Sequence, residues 1–269
     1  MLLLHGDCLE VMKTLPEKSV DLFVCDLPYG CLTTPKASTK EWSDYTEKTG
    51  RPRTLVREDS GKCAWDVKLD LSQFWVQVKR LCRTEHTPVL MFCSTKFGFD
   101  LYNSNPEWFR YDLVWNKTRG VSFLSANKMP MRSHEMVYVF AKKGATYYRT
   151  DVEGKPYFKK SKGQTNEQYG VDRVEGANKG TRCVLSVIDQ LNTAGHNGGH
   201  HPTQKPDDLY EWLITRYSKE GDTVLDPTAG SFASVFTAER LGRNAIGIEK
   251  DDAFYAKATL HQTTHTLPQ

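Results

Sequence analysis

Apolar residues fall along the chain in short blocks whose internal spacing alternates between helical and strand-like. Leu9, Met12 and Leu15 recur at helical spacing after Gly6-Asp7-Cys8, and Pro16 limits that helix. Residues 19–25, SVDLFVC, are almost wholly apolar after Asp21. That run predicts a strand buried on both faces, as in a parallel sheet. Leu71, Phe74, Trp75, Val78 and Leu81 predict a helix over 69–82. Strands are predicted at 88–93, 113–115 and 135–140. A helix over 207–218 carries Leu209, Trp212, Leu213 and Tyr217 and ends before Gly221. A strand at 223–225, a turn, a helix at 232–241 and a strand at 245–248 complete the pattern. With Glu249 closing the last strand, this is one βαβ nucleotide-binding half. The chain therefore reads as one large α/β domain with a mostly parallel sheet.

The polar stretches refine that picture. Residues 31–64 are rich in Thr, Lys and Arg and lack periodicity, which predicts a mobile loop beside a ligand cleft. Residues 142–180 are rich in Lys, Gly and Tyr and read as hairpins or loops with little core. Net charge over the 269 residues is only +3, but 141–205 holds eleven Lys or Arg against six Asp or Glu. Such a zone suits nucleic-acid phosphates. Seven cysteines without a C-x-x-C pair indicate reduced thiols in a cytosolic compartment. No apolar run is long enough for a membrane helix, no signal peptide is visible at the start, and the tail after Leu260 is expected to fray.

Two strand ends carry candidate chemistry. The turn Asp226-Pro227-Thr228-Ala229-Gly230-Ser231 leads into a helix whose free amides face a cleft, and Glu249 is placed to bind the two hydroxyls of a ribose. The G-x-G-x-x-G signature of pyrophosphate binding is absent, which favours an adenosine ligand without phosphates over NAD. Asp26-Leu27-Pro28-Tyr29 follows the buried strand 19–25. Its carboxylate and a main-chain carbonyl accept hydrogen bonds from an amine, and Tyr29 offers a flat face to a heterocycle. That combination suits chemistry on a flipped base.

Together these segments resemble the DNA amino-methyltransferases, in the order that places the catalytic motif before the cofactor motif (the beta arrangement). The matching stretches are GDCLEVMKTLPEKSVDLFVCDLPYG, NKMPMRSHEMVYVFAKK, HPTQKPDDLYEWLI and VLDPTAGSFASVFTAERLGRNAIGIEKDD. The resemblance implies a Rossmann-like class I methyltransferase with a small basic target-recognition insertion. It implies S-adenosylmethionine as cofactor and methylation of adenine N6 in duplex DNA. Asp26 and the Pro28 carbonyl would hold the amine, with Tyr29 on the base. Asp226, Pro227, Thr228 and Gly230 would form the cofactor turn, and Glu249 would bind the ribose. His201, Thr203, Gln204 and Lys205 belong to the segment over the cofactor's methionine end, and Asp7 and Cys8 to a segment near its adenine. Residues 1–141 would carry the catalytic part, 142–198 target recognition, and 199–260 the cofactor part, before a tail at 261–269.

The resemblance has departures. Leu27 replaces the usual proline of the tetrapeptide, Thr228 stands where an aromatic is common, and Phe232 where glycine is common. An initial Asp favours adenine, whereas cytosine-N4 enzymes more often begin with Ser. Cytosine N4 is the alternative, followed by an RNA or protein-glutamine amine and, last, a non-catalytic DNA-binding module. No metal is expected, because methyl transfer needs none and His196, His200 and His201 have no cysteine nearby. Trp115, Asn116 and Lys117 read as a strand end and core anchor, and His134 and Glu135 as structural. Double-stranded DNA is the expected partner. A homodimer is compatible with the resemblance, a cognate restriction endonuclease is an open question, and no membrane contact is expected. The expected location is the cytoplasm, of a bacterium or of a phage's host.

Overall fold

In strand β2 (Leu22–Cys25), Leu22 and Val24 point into one apolar cluster while Phe23 and Cys25 point into another. That period of two, with all four residues buried, is why an unbroken apolar run forms a central strand. The computed structural model describes residues 1–30, 66–121, 123, 126–159, 176–189 and 204–265. Among these, β2 sits at the centre of an eight-stranded sheet. Its other members are β1 (Leu2–His5), β3 (Val89–Cys93), β4 (Phe109–Val121), β5 (Arg132–Phe140), β10 (Val187–Asp189), β11 (Thr223–Asp226) and β12 (Asn244–Glu249). The order is β1-β12-β11-β2-β3-β5-β4-β10, and every pairing is parallel except those of β5.

Helices cover both faces of the sheet. One cluster packs Leu22, Val24, Leu90 and Phe92 against Leu209 and Leu213 of α4 (Asp207–Tyr217). The other packs Phe23, Val89 and Met91 against Phe74, Val78 and Leu81 of α2 (Leu71–Leu81). Asp70 starts α2 by accepting from the Ser72 and Gln73 amides, and Asp7 starts α1 (Cys8–Thr14) by accepting from Leu9. Helices α5 (Ala233–Arg240) and α6 (Asp252–His265) flank the last strands.

Several elements differ from the pattern reading. Helix α3 (Thr95–Ser104) was not legible, because only Phe97, Gly98 and Leu101 of it are buried. Gly98 has a packing reason: a Cβ there would lie 2.8 Å from the Tyr138 hydroxyl. Strand β4 is far longer than 113–115, because its ends beyond the alternating stretch 113–117 are exposed or half-buried, carry no apolar signal, and are held by antiparallel pairing with β5. Helix α6 continues past Leu260, where a frayed tail was expected. The expected loop 31–64 lies outside the described residues. Within 142–198 the structure forms two small antiparallel ribbons, β6 (Val152–Glu153) with β9 (Thr181–Arg182) and β7 (Tyr157–Lys159) with β8 (Gly176–Asn178). β10 of the same stretch is a member of the central sheet, with Ile188 buried in the core. Among the described residues, no helix is long and apolar enough to cross a membrane.

Candidate active site

The carboxyl ends of β1, β2, β11 and β12 lie side by side, and the residues after them line a cleft of about 880 Å³. Ligands of open α/β sheets bind at this edge because the loops there diverge and leave a crevice. Asp7, Cys8, Asp26, Pro28, Tyr29 and Glu249 line the cleft, as do Gln204, Lys205, Pro227, Thr228 and Gly230. His201 and Thr203, together with His196 and His200, lie outside the described residues.

Among the described residues of the predicted set, Asp226 is the exception. It does not line the cleft, is 2 % exposed, and takes hydrogen bonds from Ser234 Oγ and the Thr228 amide (3.0 Å). Each oxygen accepts one of these bonds, and burial behind the turn rather than lack of acceptor capacity keeps the carboxylate from the cleft. Burial pushes its pKa up to about 7 against the hydrogen bonds from Ser234 and Thr228. Thr228 then ties this turn to the other strand end, donating from Oγ1 to the Asp26 carbonyl at 3.2 Å.

Glu249 faces the cleft beside that turn. Its carboxylate accepts from the Gly230 amide and the Asp251 amide, each at 2.7 Å. One lone-pair direction on each oxygen remains for an incoming hydroxyl. Burial raises its pKa despite the amide hydrogen bonds. The turn itself depends on Phe232, which adopts a left-handed conformation (φ 60°, ψ 18°) at the head of α5 and is fully buried. The same conformation explains why glycine is common there. Gly247 on β12 makes room for the aromatic: a Cβ at Gly247 would sit 2.6 Å from the Phe232 ring.

At the other strand end the Asp26 carboxylate has two partners. Tyr29 donates its hydroxyl to Oδ1 at 3.1 Å, and the Lys205 ammonium donates to Oδ2 at 2.5 Å. The Tyr29 ring stacks on Phe97 with centroids 4.9 Å apart. Burial, followed by the Asp26 charge, raises the Tyr29 pKa well above its ordinary value, so the phenol stays neutral. Lys205 was expected over the cofactor's methionine end, whereas its ammonium lies on Asp26.

Two further residues reach this cluster, Lys117, which reads in the sequence as part of a strand end and core anchor, and Glu135, which reads as structural. Lys117 on β4 and Glu135 on β5 form a buried ion pair, and Glu135 Oε2 lies 3.6 Å from the Lys205 ammonium. Both line the cleft. Only the antiparallel register, which sets Trp115 opposite Glu135, brings them together, and no spacing in the sequence reports it. Among the described residues, the cysteines beside the cleft are poor nucleophiles. Cys25 is fully buried and burial raises its thiol pKa, while burial pushes Cys8 up to about 12. Among the described residues no cluster could hold a metal ion.

Comparison with known proteins agrees with this geometry. A DNA methylase family model matches residues 20–260. The type II methyltransferase M.HinfI of Haemophilus influenzae is 25 % identical over 259 residues, covering 94 % of this chain, and the chain spans 65 % of that relative's length. The cytosine-N4-specific PvuII DNA methyltransferase superposes with a TM-score of 0.62 at 15 % identity, over 99 % of this chain and 87 % of that one. The complex of M1.HpyAVI with S-adenosylmethionine gives 0.57 at 19 %, over 97 % and 98 %. These two likenesses establish a class I methyltransferase fold, and with a family match running from the approach to β2 into α6, the chain belongs to the DNA methylases.

Proposed function

We propose that the protein transfers a methyl group from S-adenosylmethionine to N6 of an adenine flipped out of duplex DNA. The observation that carries this reading is the sharing of one cleft by the Asp26–Tyr29 strand end and the Glu249 carboxylate. The cleft's residues fit the cofactor. Glu249 keeps free acceptor capacity for a ribose diol, and the Gln204 side-chain oxygen is buried without a hydrogen-bond partner. When bound, the cofactor supplies a sulfonium methyl group already activated for direct displacement.

The protein's part is alignment and charge placement. Asp26 Oδ1 and the Pro28 carbonyl accept the two amine protons, the amine taking the position now held by the Tyr29 hydroxyl. Tyr29 then offers its ring to the base. These acceptors favour a nitrogen that becomes tetrahedral and stabilise the charge developing on it. A methyl group delivered in line to this nitrogen would leave its electron pair with the departing sulfur, and the nitrogen held by Asp26 and the Pro28 carbonyl would then release one proton to water. The buried thiols Cys25 and Cys8 support a route without a covalent enzyme intermediate.

The 142–198 region is assigned to target recognition. Its ribbons expose Tyr157 and Phe158 and hold the Arg182 guanidinium 4.6 Å from the Tyr157 ring centre. Aromatic and cationic groups together suit bases and phosphates. Cytosine N4 is the second reading, supported by the likeness to the PvuII enzyme. Base-resolution mapping of methylation in a defined duplex library tests both, and modification at cytosine N4 alone overturns the adenine assignment. Asp26→Ala is expected to abolish transfer while S-adenosylmethionine binding stays measurable; retained turnover removes Asp26 from the mechanism.

A further inference from the structure

The Asp26 carboxylate is one end of a buried row of alternating charges. Asp26 meets Lys205, Lys205 faces Glu135, and Glu135 pairs with Lys117. The four side chains come from four places: the end of β2, the residues before α4, β5 and β4. Lys205 and Lys117 are 6 % and 8 % exposed, and each ammonium lies over an aromatic ring, Phe92 at 5.2 Å and Trp115 at 5.0 Å. Removing such charges from water is costly before pairing, and an apolar side chain would fill the same space without that cost. The cost points to a task that needs the charge.

We propose that Lys205, backed by the Glu135–Lys117 pair, is a positioning residue that locks the Asp26 carboxylate by its Oδ2 so that Oδ1 stays aimed at the target amine. This rests on the reading of Asp26 as the amine acceptor. A free carboxylate at a strand end turns about its side-chain bonds, and a misplacement of about 1 Å costs on the order of 100-fold in rate. Lys205 removes that freedom. Its ammonium is 2.5 Å from Asp26 and 3.6 Å from Glu135, and Glu135 Oε2 is buried without a hydrogen-bond partner. Asp26 is therefore the preferred seat, and Glu135 balances the charge from behind. Burial works against the Lys205 charge, but Asp26 and Glu135 outweigh it and hold its pKa above the ordinary lysine value. Glu135 is likewise disfavoured by burial and held below its ordinary value by Lys205 and Lys117. The row sets two acidic against two basic side chains.

The test is single-turnover methylation of unmethylated genomic DNA with radiolabelled S-adenosylmethionine, with calorimetric cofactor affinity and thermal melting measured on the same full-length variants. Lys205→Met is expected to slow transfer about 100-fold while cofactor affinity stays within about threefold. Lys205→Arg, which keeps the charge, should recover about tenfold of that loss. Glu135→Gln should slow transfer too, and Lys205→Met/Glu135→Gln should be no slower than Lys205→Met alone, because the residues act as a unit. A Lys205→Met rate within about threefold of the parent overturns the proposal. So does a rate loss matched by an equal loss of cofactor affinity, or additive losses in the double variant. If Lys205→Met does not fold, Glu135→Gln and Lys205→Arg decide, and an unchanged rate in Glu135→Gln overturns it. The two readings fail separately. Turnover retained by Asp26→Ala removes the amine-acceptor role, whereas an inactive Asp26→Ala beside a fully active Lys205→Met removes only the positioning role.

Discussion

Phe232 joins two opposing terms at the head of α5, and substitution separates them. Its φ of 60° is left-handed, which costs a residue with a Cβ about 1–2 kcal/mol. Its ring is fully buried, against the space left by Gly247. Phe232→Ala keeps the backbone cost and loses the ring, so the expected destabilisation is about 3–5 kcal/mol. Phe232→Gly loses the same ring but relieves the backbone, so it should be about 1 kcal/mol more stable than the alanine variant. That order is the reverse of the usual ranking within a helix, where glycine is the worse of the two. Urea unfolding midpoints at constant m-value measure the difference directly. If Phe232→Gly proves less stable than Phe232→Ala, the left-handed strain is not there and the account of this departure from glycine fails. Because the same turn presents the Gly230 amide to Glu249, cofactor affinity should follow the same order as stability.

Asp226 should impose a pH dependence on stability. Its folded pKa of about 7 lies above its ordinary value, so the folded state holds the proton more tightly than the unfolded chain. Its contribution is fully present below the unfolded pKa of about 3.9 and is lost as pH rises through 7. Asp226→Asn should remove that component, visible as a flatter stability profile between those pH values; an identical profile in parent and variant refutes it. Glu249→Ala should weaken S-adenosylmethionine about tenfold or more, the size of a hydrogen bond to a charged group, and calorimetry that finds unchanged affinity excludes the ribose contact.

Both strand ends of the cleft were legible in the sequence because each is a local device. A fully apolar run such as 22–25 has only one comfortable environment, between two helical layers, and a polar residue directly after it must emerge at the sheet's edge. The positions of Asp26, Tyr29 and Glu249 at the cleft follow from that local rule without knowledge of their contacts. Local pattern also located α2 and α4, whose apolar stripes repeat over three turns.

Residue roles that depend on pairing were not legible. The composition of 223–234 does not disclose that Asp226 turns inward to Ser234 and Thr228 rather than outward to the cleft. Lys117, Glu135 and Lys205 are separated by 18 and 70 residues, and each taken alone reads as an ordinary charged side chain. The antiparallel hairpin of β4 and β5 and the approach to α4 bring them to Asp26, where low-dielectric burial turns solvated charges into a coupled row. The sequence by itself determined where the cleft lies and which chemistry its edges offer, since hydrophobic period and strand-end polarity act over a few residues. Tertiary structure alone decided which charges meet inside it, because an ion pair is set by distance in space, and distance in space follows strand register rather than position along the chain.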